Sequence, residues 1–281
     1  MTVVLALGCA VMYGLSDFVG GLLSRRTSVW PVAVVAQVAS TALTGTAALL
    51  LPGQATPADW AWGALAGVGA GAGTAFLYRG LATGRMGVVA PLSAVGSALL
   101  PVVVGLVTGE RPALWTWIGI GCALPAIWLV SRAADSVELG GSGHRVGEGV
   151  VDGLLAGMGF GVLFAALGQV RDSAGLGPLA LTQLASIVVV IALAAALRQP
   201  WVPRDRVAWR AVGVGALGAA ATVLFLFASQ SGLLTVASVL SSLYPAFTVL
   251  LAATVLREHI HRTQAVGLAL AAAAVSLVAV G

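Results

Sequence analysis

The chain has 281 residues, 59% of them hydrophobic and only 9% charged, with a mean hydropathy of +1.02. A soluble domain covers itself with about 25% charged residues, so this composition excludes a water-soluble globular protein and makes lipid the main solvent. The formal net charge of +4 comes from fourteen arginines and no lysine; in a membrane chain such charge reports orientation, and nucleic acid is excluded as a partner.

A spanning helix needs about 20 mostly apolar residues. Ten such runs are expected, at residues 2–23, 31–51, 60–77, 87–108, 115–131, 150–170, 178–197, 209–231, 235–256 and 263–280. The first run has no basic leader and is followed by more of the same, so it reads as a span and not as a cleaved signal. The breaks carry turn chemistry, among them Pro52-Gly53, Gly109, the stretch 175–178 and Gln199-Pro200. Seven of the eight tryptophans, at positions 30, 60, 62, 115, 117, 201 and 209, fall in or beside connecting loops, where amphipathic rings anchor at the headgroups. Cys9 and Cys122 lie inside apolar runs and read as small buried hydrophobes with no disulfide.

Residues 132–149 form the least apolar segment, holding Asp135, Glu138, His144, Arg145 and Glu148 among glycines and serines. This segment reads as a flexible linker between a first five-helix half, 1–131, and a second, 150–281. The halves echo one another. A shift of 148 residues lays Ala90–Glu110 on Ser238–Glu258 without a gap, and the same shift pairs Thr74 with Thr222, Val107 with Val255 and Gly119 with Gly267. In the second span of each half Gln37-Val38-Ala39-Ser40 matches Gln183-Leu184-Ala185-Ser186 at a shift of 146.

Five crossings per half turn the second half upside down, giving an inverted repeat. The expected fold is therefore all-α, ten transmembrane helices as two inverted five-helix repeats. Numbered by the span they follow, odd loops hold twelve arginines and even loops only Arg111 and Arg171. The positive-inside rule then makes the odd loops cytoplasmic and both termini external in an inner membrane.

An acid at mid-helix costs about 2.5–3.5 kcal/mol on insertion scales. Asp17 is the one acid expected deep inside a span, so it needs either a partner, with Arg79 the nearest in depth, or a purpose such as holding a proton or a cationic group. Gln37, Tyr78 and Ser93 are expected near the inner face. Gln169, Gln183, Gln230, Ser241, Ser242 and Tyr244 are expected near the outer face, giving one polar cluster at each mouth of a central cavity. A serine in a span often just bonds its own helix, whereas a primary amide in lipid must find partners. Pro101 and Pro245 are expected to interrupt their helices and free a carbonyl each. Glu110 with Arg111, and Arg257 with Glu258, read as ion pairs at equivalent helix ends. Gly63, Gly67 and Gly71, and again Gly153, Gly157 and Gly161, have the spacing of close helix packing. His259 and His261 lack the further ligands of a metal site, so no metal, cofactor or catalytic residue is expected and the chain is not read as an enzyme.

The stretches SSLYPAFTVLLAATVLRE followed by QAVGLALA, and APLSAVGSALLPVVVGLVTGER followed by WIGIG, together with Tyr13-Gly14-Leu15-Ser16-Asp17-Phe18, resemble the EamA-like branch of the drug/metabolite transporter superfamily. The resemblance runs along the whole chain and implies secondary transport of a small metabolite by alternating access, with the substrate cavity between the halves. It also implies cytoplasmic termini and basic residues after the second helix, whereas residues 52–59 hold no arginine; the arginine distribution is followed here. The expected partners are a small amino-acid-like, polar or cationic solute, the lipid bilayer, protons as coupling ion and, in the dimeric form, a second copy. A lipid-intermediate flippase on the same scaffold and a membrane protein without a pathway are the alternatives. A lateral gap edged with basic residues would mark the first, and a closed apolar interior the second.

Overall fold

The structure, a computed structural model, describes residues 1–24, 26–82, 86–132, 144–255, 257 and 260–280. Among the described residues there is no strand. The helices are α1 (Thr2–Ser24), α2 (Val29–Leu50), α3 (Pro57–Ala82), α4 (Met86–Val107), α5 (Leu114–Arg132) and α6 (His144–Leu167), then α7 (Gly177–Ala196), α8 (Arg206–Trp209), α9 (Val212–Gln230), α10 (Leu234–Ser241), α11 (Tyr244–Val255) and α12 (Arg262–Val280). Among the described residues, seven stretches are long and apolar enough to cross a membrane: Thr2–Ser24, Val29–Leu50, Val150–Leu167, Gly177–Ala196, Arg206–Gln230, Leu234–Val255 and Arg262–Val280. Leu92–Val107 and Leu114–Val130 are shorter apolar helices. Val68, Val103, Val188 and Val266 stand exposed on helix surfaces, where a bilayer covers them.

Local chemistry sets several helix ends. Thr56, Pro57 and Asp59 open α3: proline at the first position has no amide proton to strand, and the Asp59 carboxylate reaches back to the Thr56 amide at 2.8 Å and hydroxyl at 2.7 Å. Asp205 caps α8 by accepting from the Val207 amide at 3.0 Å. The helix at 144–167 starts ahead of the expected residue 150, inside the stretch read as linker.

The two prolines behave differently. Pro101 lies inside α4, which runs on without a break from Met86 to Val107, so the interruption expected there does not occur. Pro245 is the second residue of α11, after a break at Ser242 and Leu243. Lacking an amide proton, it leaves the Ser241 carbonyl without its helical donor. The chain tightens around this point, Leu243 bonding to Leu240 at 3.2 Å and Ala246 to Leu243 at 2.9 Å.

Small residues bring the helices together. On α3, a methyl group added at Gly67 would stand 2.5 Å from the Thr182 carbonyl oxygen and 2.6 Å from the Ala185 methyl of α7. On α9, one added at Gly215 would stand 2.1 Å from the Ala36 carbonyl oxygen and 2.8 Å from the Ala39 methyl of α2. Shifting by 148 takes Gly67 to Gly215, and shifting by 146 takes Ala36 and Ala39 to Thr182 and Ala185, so the two contacts are reciprocal. The α5–α12 pair repeats the relation: Gly119 lies against Ala274 and Val278, and Gly267 against Ala126 and Val130. Gly153, Gly157 and Gly161 of α6 face Leu92, Gly96 and Leu100 of α4. Helix packing in lipid uses small residues in this way because backbones must approach closely for dispersion to act.

Candidate functional site: a polar cavity in the helical bundle

A cavity of about 120 Å³ lies in the centre of the bundle. Its wall takes Tyr13, Ser16 and Asp17 from α1, Gln37 and Ser40 from α2, Ala70, Thr74 and Leu77 from α3, and Ser97 from α4. Across from these stand Phe160, Leu163 and Phe164 of α6, Gln183 of α7, Gly215, Gly218 and Thr222 of α9, and Tyr244 of α11. The α1 and α3 residues lie in the C-terminal halves of their helices and most α2 and α9 residues in the N-terminal halves, on the side of Arg26, Arg79, Arg206 and Arg210. Phe160, Leu163 and Phe164, by contrast, lie in the C-terminal half of α6 and Gln183 in the N-terminal half of α7, on the opposite side. More of the wall thus lies toward the arginine-bearing ends than toward the other.

Among the described residues Asp17 is the only acid in the wall, and its side chain stays accessible. Arg79 does not pair with it. The guanidinium is taken by Asp152 of α6, with Nε donating at 2.8 Å and the second nitrogen closing the pair, and it lies 4.9 Å from the Phe76 ring centre. Asp152, expected at the end of a span, is 2% exposed and satisfied there. Three rings gather above Asp17. Tyr13, one helical turn earlier on the same face, is tilted against Phe164 at 6.1 Å and Tyr244 at 6.2 Å between ring centres. Phe164 in turn stacks on Phe225 at 4.3 Å.

The repeat-matched amides both reach this one cavity, in place of a cluster at each mouth. Their hydrogen bonds differ. Gln37 Nε2 of α2 donates to Ser186 Oγ of α7, whereas Gln183 Nε2 of α7 donates to Thr222 Oγ1 of α9 at 3.0 Å. Thr222 spends its one proton on the Gly218 and Ala219 carbonyls, each at 3.0 Å, so toward the amide it can only accept. Ser40, the repeat partner of Ser186, is 3% exposed, and its hydroxyl has no partner among the described residues.

The other expected site residues lie elsewhere. Ser93, Ser241 and Ser242 are fully buried outside the wall, with Ser241 Oγ 3.4 Å from the Ala6 carbonyl oxygen and Ser242 Oγ 3.0 Å from Ser97 Oγ. Gln230 sits at the far end of α9, 3.5 Å from the Val170 carbonyl oxygen. Tyr78 is in α3, with its side chain outside the described residues, and Glu258 lies outside them as well. Arg257 is exposed, in a left-handed conformation at φ 55°.

Glu110 and Arg111 do not form the helix-end ion pair expected of them. The Glu110 carboxylate accepts from the amides of Leu234 and Thr235, the latter at 3.0 Å, and from the Thr235 hydroxyl. It thus supplies from the first half the N-terminal cap that Leu233 cannot give α10. Arg111 instead reaches the carbonyl of its own neighbour Glu110 at 2.8 Å.

Further contacts close this same, arginine-poor end. Asp59 is 2% exposed on its side chain and accepts from the Arg171 amide at 3.1 Å and guanidinium at 2.8 Å. The Arg171 side chain, followed by the Thr56 hydroxyl, holds the Asp59 carboxyl well below the usual carboxylate range. The Gln54 amide bonds to the Ser173 carbonyl at 2.6 Å. Gly175 adopts φ 65°, and a side chain there would meet Gly53 at 2.7 Å, so glycine is required on both counts.

Tyr13, Ser40, Thr74, Phe160, Phe164 and Thr222 join the wall without having been singled out as site residues. Repeat matching was the signal for three of them: Thr74 with Thr222, and Ser40 with Ser186.

A solved crystal structure is similar over 98% of this chain and 95% of its own, with a TM-score of 0.74 and 17% sequence identity, a likeness of fold alone. No curated protein matches the sequence. The EamA-like transporter family model matches residues 1–132 and 148–280, nearly the whole chain. With a membrane-spanning helical bundle around a polar cavity, and that match across both stretches, the chain belongs to the EamA-like transporter family.

Proposed function

We propose that the chain is a secondary transporter that moves a small solute through the central cavity by alternating access between two inverted five-helix halves. One observation carries this reading: helices of both halves wall a polar cavity that lies toward one end of the bundle, while inter-half contacts close the other end. Those closing contacts are Asp59 with Arg171, Gln54 with Ser173, and Glu110 with the start of α10. The reciprocal contacts at Gly67 and Gly215, and at Gly119 and Gly267, support the inverted relation of the halves, as does the family match to 1–132 and 148–280. In such a repeat the two halves rock against one another around a central site.

The arginine bias places the cavity toward the cytoplasm and both termini outside, in an inner membrane. Asp17, Gln37, Gln183 and Tyr244 line the pathway. The test is solute counterflow in proteoliposomes with the purified protein. Asp17→Asn abolishes exchange while the protein still elutes as a folded species; full exchange by this variant rejects the assignment. A reporter fused to Gly281 that is active only in the cytoplasm rejects the orientation.

A further inference from the structure

We infer that the cavity selects a small monovalent organic ammonium, with Asp17 as its counter-ion and the rings of Tyr13, Phe164 and Tyr244 around its apolar body. The inference rests on the reading of this cavity as the transport site. Among the described wall residues Asp17 is the only acid, able to give the site a single negative charge, and there is no arginine or histidine to hold an anion. Arg79, the cation nearest to Asp17 in depth, is held by Asp152 and covered by Phe76. A carboxylate in so apolar a setting is strongly stabilised by a cation brought to it.

The surroundings suit an ammonium and not a metal ion. Among the described residues no further acid or imidazole lines the wall to complete a coordination shell. Aromatic faces, by contrast, attract organic cations through the ring quadrupole, most strongly where water is excluded. Tyr13 stands a single turn from Asp17, and Phe164 and Tyr244 lie against Tyr13. Acceptors complete the pattern. Gln183 turns its nitrogen to Thr222, so its free oxygen accepts. The unpartnered hydroxyl of Ser40 takes an N–H from the ligand, which relieves a buried polar atom that the protein leaves unsatisfied.

Binding is measured by thermal shift and by calorimetry on the detergent-purified full chain, with three probes of similar shape: phenethylammonium, 2-phenylethanol and 3-phenylpropionate. The ammonium binds at least tenfold more tightly than the neutral alcohol, and the carboxylate does not bind. Asp17→Asn removes at least tenfold of the ammonium's affinity and leaves that of the alcohol in place, and Asp17→Glu restores part of the loss. Equal binding of alcohol and ammonium, binding of the carboxylate, or ammonium affinity unchanged in Asp17→Asn overturns the inference. Counterflow separates this inference from the transport reading. Exchange of other solutes with no ammonium binding overturns the ammonium class and leaves transport standing. Saturable, Asp17-dependent ammonium binding with no exchange of any solute upholds the site and overturns transport.

Discussion

Thr222 and Thr74 occupy matched positions in the two halves, yet only Thr222 receives a glutamine amide. If the halves exchange roles when the transporter rocks, Gln183 passes from Thr222 to Ser40 and Gln37 from Ser186 to Thr74. Thr222→Val keeps the shape of the side chain and removes the acceptor used in the present state. A hydrogen bond of this kind is worth about 0.5–1.5 kcal/mol net, and a buried donor left without a partner costs about 1–3 kcal/mol. Gln183 is 4% exposed, so water does not replace the lost bond. A net effect near 1.4 kcal/mol moves the population about tenfold toward the state open at the arginine-poor end. Thr74→Val removes the acceptor needed in that opposite state and moves the population the other way by a similar factor. The assay uses a background with Cys9 and Cys122 replaced and a reporter, Ser241→Cys, placed below the closed end. An impermeant maleimide is added from the arginine-poor side of oriented proteoliposomes. Labelling is expected to speed up in Thr222→Val and slow down in Thr74→Val. Shifts of the same sign in both variants, or none in either, refute the exchange.

Other contacts give separate tests. Glu110→Gln keeps one oxygen but loses the charge that caps α10, which weakens closure of that end by about 1–2 kcal/mol; faster labelling of the same reporter is expected, and an unchanged rate places the cap outside the gate. Gly67→Ala drives a methyl group onto the Thr182 carbonyl, an overpacking that costs about 1–3 kcal/mol and lowers the thermal midpoint. A midpoint equal to that of the parent would show that the α3–α7 approach is not tight. Asp59 bonded to Arg171 titrates below its unfolded value, about 3.9, so its contribution to closure is fully present above that value and is lost only as pH falls through the lower one. Labelling from the arginine-poor side, divided at each pH by the rate of the same cysteine in denatured protein to correct for its thiolate fraction, stays low down to pH 4 in the parent and is high at neutral pH in Asp59→Asn; a rise of this ratio in the parent near pH 5 contradicts the latch.

Composition alone settled the solvent, because a chain with 9% charged residues cannot cover itself against water. Apolar run lengths located the seven stretches able to span and the two shorter apolar helices, though α3 is in neither group, and the 148-residue shift picked out matched glycines before any contact was known. Asp17, which the structure places in the cavity wall, was legible as a candidate because an isolated acid is costly at that depth wherever it lies. The partners were not legible. Helical periodicity places a side chain on a face but does not say which helix will meet that face. Thus only the tertiary structure sent Arg79 to Asp152, set Glu110 on the start of α10 and gathered Gln37 and Gln183 into a single cavity. The two prolines make the same point. Pro101 and Pro245 remove the same donor, yet α4 continues through one and the chain breaks before the other. The sequence by itself determined which groups must be satisfied in lipid; which neighbour satisfies each, and so which end of the bundle is closed, was decided by packing, since a buried polar group bonds whatever the rest of the fold brings within about 3 Å.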